Sequence, residues 1–340
     1  MRIAHLLPTS AVFPLKKHNG RYEWVLRLAR LQAEQGHEVT IFCGEGSHDN
    51  STISWRHTNA HGESKRDNNI SLLSEAYSDD SFDVYHSHFD SLAAELSHLT
   101  DKPVVTTQHW FPDEAIARRL ATGRRQNVVA VPVTHLMQQA DTTLGINHAD
   151  FIYHGIDLEL FRPTMSPIPE QPGYLLFVGR IHPAKGVREA VDIAVATGER
   201  LLIIGKINHS DEEYWNTFKD RIDGKQIHYL GQKHQDELVA YMSHASGLLF
   251  PSTEAEAFGQ VTVEAQACGL PVIIRDIGAS SELIIHKKTG FIVHDQAEFI
   301  NAVHGLARIN RDACRSNATR FEIHDMVQKY TLLYESLTAH

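Results

Sequence analysis

Short apolar runs alternate with stretches of helical periodicity along nearly the whole chain. RIAHLLP (2–8) reads as a buried strand. A loop with two prolines follows, then GRYEWVLRLARLQAEQGHEV, in which Tyr22, Val25, Leu26, Leu28 and Ala29 lie mostly on one side of a helix. Gly36 stops that helix, and EVTIFCG (38–44) is the next strand. A strand–helix–strand run of this kind predicts a parallel unit with a crossover. FDVYHSH (82–88), KPVVTTQHW (102–110) and NVVAVPVT (127–134) continue the pattern, whereas residues 45–70 are polar and assign themselves to no element.

The pattern breaks once and restarts. FRPTMSPIPEQPG (161–173) holds four prolines in thirteen residues, the composition of a linker. After it come YLLFVGR (174–180), a helix over about 185–197, RLLIIGK (200–206), IHYLG (227–231), GLLFPS (247–252), LPVIIRD (270–276) and TGFIVH (289–294). In the last stretch Met326, Val327, Tyr330, Leu333, Tyr334 and Leu337 recur at helical spacing. An α/β fold of two strand–helix halves follows. We expect one domain over residues 1–165, completed by the terminal helix 321–340, and a second over 172–320. A length of 340 residues, more than one core usually serves, agrees with two domains.

Composition narrows the function. A net charge of −10 argues against general nucleic-acid binding and against a polybasic membrane anchor, leaving peripheral membrane contact open. ARRLATGRR (117–125) is a local basic strip that reads best as a solvated helix face. Cys43, Cys268 and Cys314 form no disulfide framework or C-x-x-C pair. Neither a signal peptide nor a run of 18 apolar residues is seen, so the cytoplasm is the expected location.

In doubly wound sheets ligands bind beyond the carboxyl ends of the strands. Arg180 and Lys185, in FVGRIHPAKG, follow one such strand and precede a helix, a placement that suits a diphosphate. Glu254 and Glu256 follow GLLFPS, and Gly259 sits where the next helix begins, with free N–H groups and the positive end of the helix dipole. Glu264 lies on the second turn. A phosphate repels carboxylates, so Glu256 and Glu264 make better partners for sugar hydroxyls. Together these residues predict a nucleotide-sugar site. His86 and His88, in HSHFD (86–90), share one strand face and make a metal conceivable, although Ser91 stands where a metallo-hydrolase motif wants histidine.

The chain resembles the family-4 retaining glycosyltransferases of GT-B architecture, especially the shorter bacterial type. The matching pieces run in order: GRYEWVLRLARLQAEQGHEVTIF, FDVYHSH, PVVTTQH, IYHGIDLELFRP, FVGRIHPAKG, PSTEAEAFGQVTVEAQACGLPVI, SSELIIHKKTGFIV and the terminal helix, with 174–293 the most specific. The resemblance implies two doubly wound Rossmann-like domains facing a cleft and a C-terminal helix that crosses back to the first domain. It implies that Arg180 and Lys185 hold the donor diphosphate and that Glu264 binds the ribose. Glu256 would face the donor sugar beside the backbone of Phe258, Gly259, Gln260 and Val261, with Gly20 near the phosphates and His109 near the reacting carbon. The catalytic set would be His109, Glu256, Arg180 and Lys185. Transfer from a UDP-hexose to a hydroxyl acceptor, with retention and without metal or other cofactor, is the activity implied. The family's paired glycines are reduced here to Gly20-Arg21, with Glu23 matching; Arg21 bears on phosphate contact or on acceptor entry.

Competing readings fit less well. A dinucleotide dehydrogenase wants G-x-G-x-x-G after the first strand, and LPTSAVFPLKKHNG lacks it. A two-lobed periplasmic binding protein wants a secretion signal. A nucleotide-sugar epimerase of related fold and a non-catalytic sugar-nucleotide-binding partner subunit remain as alternatives.

Overall fold

The computed structural model describes residues 1–15, 19–58, 62–89, 91–122 and 127–339. Two compact units divide the chain: Met1–Gly155 with the segment from Ile323 onward, and Ile156–Glu322.

The first unit is built on a six-stranded parallel sheet in the order β3-β2-β1-β4-β5-β6. Its strands are β1 (Arg2–Leu6), β2 (Glu38–Phe42), β3 (Ser54–Arg56), β4 (Val84–Ser87), β5 (Val104–Thr107) and β6 (Val128–Val131). β4, β5 and β6 are buried at every position, as strands covered by helices on both faces must be. The region 45–70, which its sequence left unassigned, supplies the edge strand β3 and the start of the helix Lys65–Tyr77. Ser64 opens that helix with a capping box to Asp67.

The helix Gly20–Glu34 buries Tyr22, Trp24, Val25, Leu28, Ala29 and Gln32. Leu26, expected on that face, is only partly buried, and Trp24 takes the deeper place. Gly36, at φ +89°, ends the helix as its position predicts. The last helix, Ile323–Thr338, packs into the same core through Ile323, Met326, Val327, Tyr330 and Tyr334. The chain's final element thus completes the unit that its first residues begin.

The second unit repeats the plan, with sheet order β12-β11-β10-β7-β8-β9, all parallel. Its strands are β7 (Leu175–Val178), β8 (Leu201–Ile204), β9 (Ile227–Tyr229), β10 (Gly247–Phe250), β11 (Val272–Arg275) and β12 (Gly290–Val293). In each sheet the strand order reverses beside the unit's first strand, between β1 and β4 and between β7 and β10. Those reversals are the topological switch points where open α/β sheets bind ligands.

The basic strip divides as a helix face should. In the helix Glu114–Thr122, Ala117 and Leu120 are buried while Arg118 and Arg119 face solvent, Arg118 pairing with Glu114. Arg124 and Arg125 lie outside the described residues. Among the described residues no helix is long and apolar enough to cross a membrane.

Candidate functional site

In the second unit, the loops after β7 and β10 flank the switch point and are tied to each other. The Thr253 N–H and the Ser252 hydroxyl both donate to the Ala184 carbonyl, each at 2.8 Å. The turn Pro183–Lys185 ends at Gly186, whose φ is +70°. A Cβ on Gly186 would stand 2.0 Å from the Pro251 carbonyl oxygen, so no other residue fits without moving one of the two loops.

This clamp sets Lys185 against Glu256, Nζ to Oε1 at 2.6 Å, both side chains about a quarter exposed at 28% and 24%. Their sequence positions alone assign the pair separate tasks, the cation on phosphate and the carboxylate on sugar. The structure makes them neighbours, each neutralising the other. Arg180, five residues earlier, is exposed and has no hydrogen-bond or ion-pair partner among the described residues. It lies in the loop two residues beyond β7.

The helix Gln260–Ala267 starts immediately beyond. Gly259 precedes it at φ +78° with no side-chain cap. Only ordinary contacts would meet a Cβ there, the nearest being Leu283 Cδ1 at 3.5 Å, so the left-handed backbone rather than crowding calls for glycine. The first N–H groups of a helix have no intrahelical acceptor, and Gln260 and Val261 present theirs at half-exposed positions. Phe258 is buried, edge-on to Phe321 with ring centroids 5.7 Å apart. A pocket at this corner is lined by Ser252, Glu254, Glu256, Phe258, Gly259 and Ser280. Glu264 sits one turn into the helix and is 7% exposed. The helix is anchored from behind by Gln266, whose amide reaches the Leu283 carbonyl while Asn317 donates to Gln266 Oε1 at 2.8 Å.

The remaining predicted residues belong to the first unit. Gly20 is the first residue of its helix, which Asn19 caps by accepting from the Tyr22 N–H. Arg21 lies over the Tyr22 ring, its carbon 5.1 Å from the centroid. His109 follows β5, half-buried, against the edge of Trp24. Burial and the neighbouring His154 and Arg21 push its pKa well below the usual histidine value, so the imidazole is neutral.

His109 is one member of a histidine cluster. Its Nε2 lies 3.3 Å from His88 Nδ1, His88 Nε2 lies 3.2 Å from His5 Nδ1, and His5 Nε2 lies 2.7 Å from Gln32 Oε1. His86, register partner of His5 on the adjoining strand, bonds to Tyr334 and Thr107. The ligating nitrogens of His5, His86 and His88 fall within 4.8 Å of one another, so the metal reading of His86 and His88 finds its third side chain in His5. Asp90, the motif's aspartate, lies outside the described residues. All six ring nitrogens of those three histidines are already hydrogen-bonded, and a cation would have to displace several of those partners. Sequence reasoning missed His5, Gln32 and Tyr334. The available signal was a polar residue at a core position: His5 inside an apolar strand, Gln32 on the helix face that carries Leu28 and Ala29.

Comparison with known proteins covers both units. Residues 163–320 match the family model described as "Glycosyl transferases group 1", and residues 23–160 match "Glycosyltransferase Family 4". D-inositol 3-phosphate glycosyltransferase of Pseudarthrobacter chlorophenolicus is 29% identical over 264 residues, 66% of this chain and 62% of that protein. The Mycobacterium marinum protein of the same name is 28% identical over 269 residues, 68% of this chain and 57% of that protein. The matches thus span about three fifths of these curated relatives' length. Among solved structures, sucrose-phosphate synthase from Thermosynechococcus elongatus superposes with a TM-score of 0.85 at 18% identity, covering 99% of each chain. Anabaena HepE, solved in complex with UDP, superposes at 0.82 with 17% identity, covering 99% of this chain and 100% of that one.

Proposed function

We propose, from the premise that this chain belongs to glycosyltransferase family 4 and has its GT-B fold, that it moves a hexose from a UDP-sugar to a hydroxyl acceptor with retention at the anomeric carbon. One observation carries the reading. At the switch point of the second unit an arginine unpaired among the described residues, a lysine and a helix start with no side-chain cap lie on adjoining loops beside a carboxylate. Cations and oriented N–H groups of this kind stabilise the charge that a diphosphate gains as it leaves. Arg180 supplies a planar fork, Lys185 a mobile point charge, and the N–H groups at Gly259–Val261 a fixed dipole.

Glu256 then has two tasks. Before the donor arrives it holds Lys185 in place. When the diphosphate takes over the lysine, the carboxylate turns to accept hydrogen bonds from sugar hydroxyls, close to the backbone of Phe258 and Gly259. Glu264 accepts from the ribose hydroxyls, and His109 contacts the donor sugar. Acceptor attack comes from the face the diphosphate leaves, and the leaving phosphate takes the acceptor's proton. Nothing in this scheme asks for a metal. The UDP complexes known for a protein of the same fold support uridine as the base.

The reading is tested by thermal shift of the purified chain against UDP-, GDP- and ADP-sugars, followed by assay of UDP release from UDP-glucose. A rise in melting temperature confined to UDP compounds, with slow UDP release, is the expected result, since a ligand of the native state raises apparent stability. Binding without release points instead to a non-catalytic partner subunit. No shift with any nucleotide sugar overturns the assignment.

A further inference from the structure

The histidines of the first unit form a continuous hydrogen-bonded chain: Gln32, His5, His88, His109. The first three members are fully buried, and His109 emerges half-exposed at the end. Among the described residues His109 Nδ1 has no hydrogen-bond partner. A neutral imidazole donates through one nitrogen and accepts through the other. A row of neutral imidazoles therefore transmits a single polarity, and whichever group stands at one end decides what the other end offers.

Gln32 stands at the closed end with its carbonyl oxygen 2.7 Å from His5 Nε2. His5 Nε2 must then carry the proton, leaving Nδ1 to accept from His88 Nε2. His88 Nδ1 in turn accepts from His109 Nε2, and His109 Nδ1 is left with its lone pair. The opposite polarity requires Gln32 to be turned over. A second branch of the network argues against that. The Gln32 amide nitrogen faces the Tyr334 hydroxyl at 3.5 Å, and that hydroxyl lies 2.5 Å from His86 Nδ1. A contact so short fits a hydroxyl donating to a ring nitrogen far better than a ring N–H donating to a phenol oxygen. Tyr334 is therefore free to accept from Gln32, and His86 Nε2–H donates to Thr107 Oγ1 at 2.7 Å. Both branches agree on one orientation of the amide.

We propose that Gln32, acting through His5 and His88, fixes His109 as the Nε2–H tautomer, so that Nδ1 is held as an acceptor for a hydroxyl group of the donor sugar. Gln32, His5 and His88 are positioning residues in this scheme, and the inference rests on the proposed placement of His109 at that sugar. Burial supports it. His5 is pushed down to about 4 and His88 well below the ordinary histidine value, so no ring in the row is protonated and the polarity stays single-valued near neutral pH. The row ends in an amide, which takes up no proton, so it orients and does not conduct.

The test is a two-bond proton–nitrogen correlation spectrum of the full chain labelled with nitrogen-15, which reads the protonated nitrogen of each ring. His5, His86, His88 and His109 are expected all as Nε2–H tautomers in the unaltered protein. In Gln32→Met, close in shape but with no amide, His109 becomes a mixture of tautomers and the KM for UDP-glucose rises about tenfold, the scale of one lost hydrogen bond, with kcat changed less. Gln32→Glu, which keeps an acceptor at the same place, restores the tautomer and the KM. An Nδ1–H His109 in the unaltered protein, which needs no variant to fold, overturns the proposal. So does one equivalent of zinc that survives chelation and perturbs the His5, His86 and His88 rings. If the tautomers follow Gln32 while the KM does not, the relay stands and the placement of His109 at the donor sugar falls.

Discussion

Lys185 and its neighbour Gly186 show how one position's backbone serves the next position's charge. Gly186 adopts a left-handed conformation and lets the loop pass within van der Waals range of Pro251, and that approach is what sets Lys185 Nζ 2.6 Å from Glu256. An ion pair this exposed adds little to stability, since solvent screens it. Its value is geometric: it parks a cation where the diphosphate is to sit. Lys185→Ala is therefore expected to leave the fold intact and to lower turnover about 100-fold, the scale of losing one oxyanion donor. A folded variant with unchanged steady-state kinetics removes Lys185 from the site. The type and loop position of these residues were visible in FVGRIHPAKG and PSTEAEAFG. The pairing was not, because it depends on two loops meeting through Ala184 and Ser252, 68 residues apart in the chain.

At the scale of elements, the last helix shows how periodicity translates into packing. Ile323, Met326, Val327, Tyr330 and Tyr334 fall at i, i+3, i+4, i+7 and i+11, one face of a helix, and all reach the core of the first unit. Tyr330 is fully buried and its hydroxyl meets Thr107 at 2.7 Å. Leu332, two positions on, is 56% exposed. Tyr330→Ala is expected to cost about 3–5 kcal/mol, the range for removing a large buried ring. Leu332→Ala should stay within about 0.5 kcal/mol. Urea unfolding of both variants checks the contrast, and equal losses would mean that the stripe is misassigned. The helix itself was legible from its spacing. Which sheet it covers was not, because spacing defines an apolar face and says nothing of the surface that receives it.

For the molecule as a whole, the buried histidines couple folding to pH. Unfolded histidines titrate near 6.5. In the fold His5 is lowered to about 4 and His154 to about 3, with His86, His88 and His109 also well below their ordinary value, all chiefly through burial. The unfolded chain thus binds protons that the fold refuses. The stability this contributes is complete above pH 6.5 and is lost as the pH falls towards 4 and 3, by about 1.4 kcal/mol per pH unit for each group. Asp141, raised to about 6 by burial, works the other way, its penalty easing as the pH drops through that value. The histidines outnumber it, so the melting temperature is expected to fall steadily from pH 7 to pH 5, with uptake of more than one proton on unfolding. A flat profile over that interval would show that these rings are not held neutral. By itself the sequence determined the two parallel α/β units and the residue types at the carboxyl ends of β7 and β10, because periodicity, turn chemistry and apolar runs act over a few residues; the division between the units falls at Gly155–Ile156, ahead of the proline-rich 161–173 where the sequence places it. Only the tertiary structure decided that Lys185 meets Glu256, that His5, His86 and His88 converge, and that Gln32 closes their row. Contacts of that kind join strands and helices far apart in the chain, and their partners are chosen by sheet order and burial rather than by any local pattern.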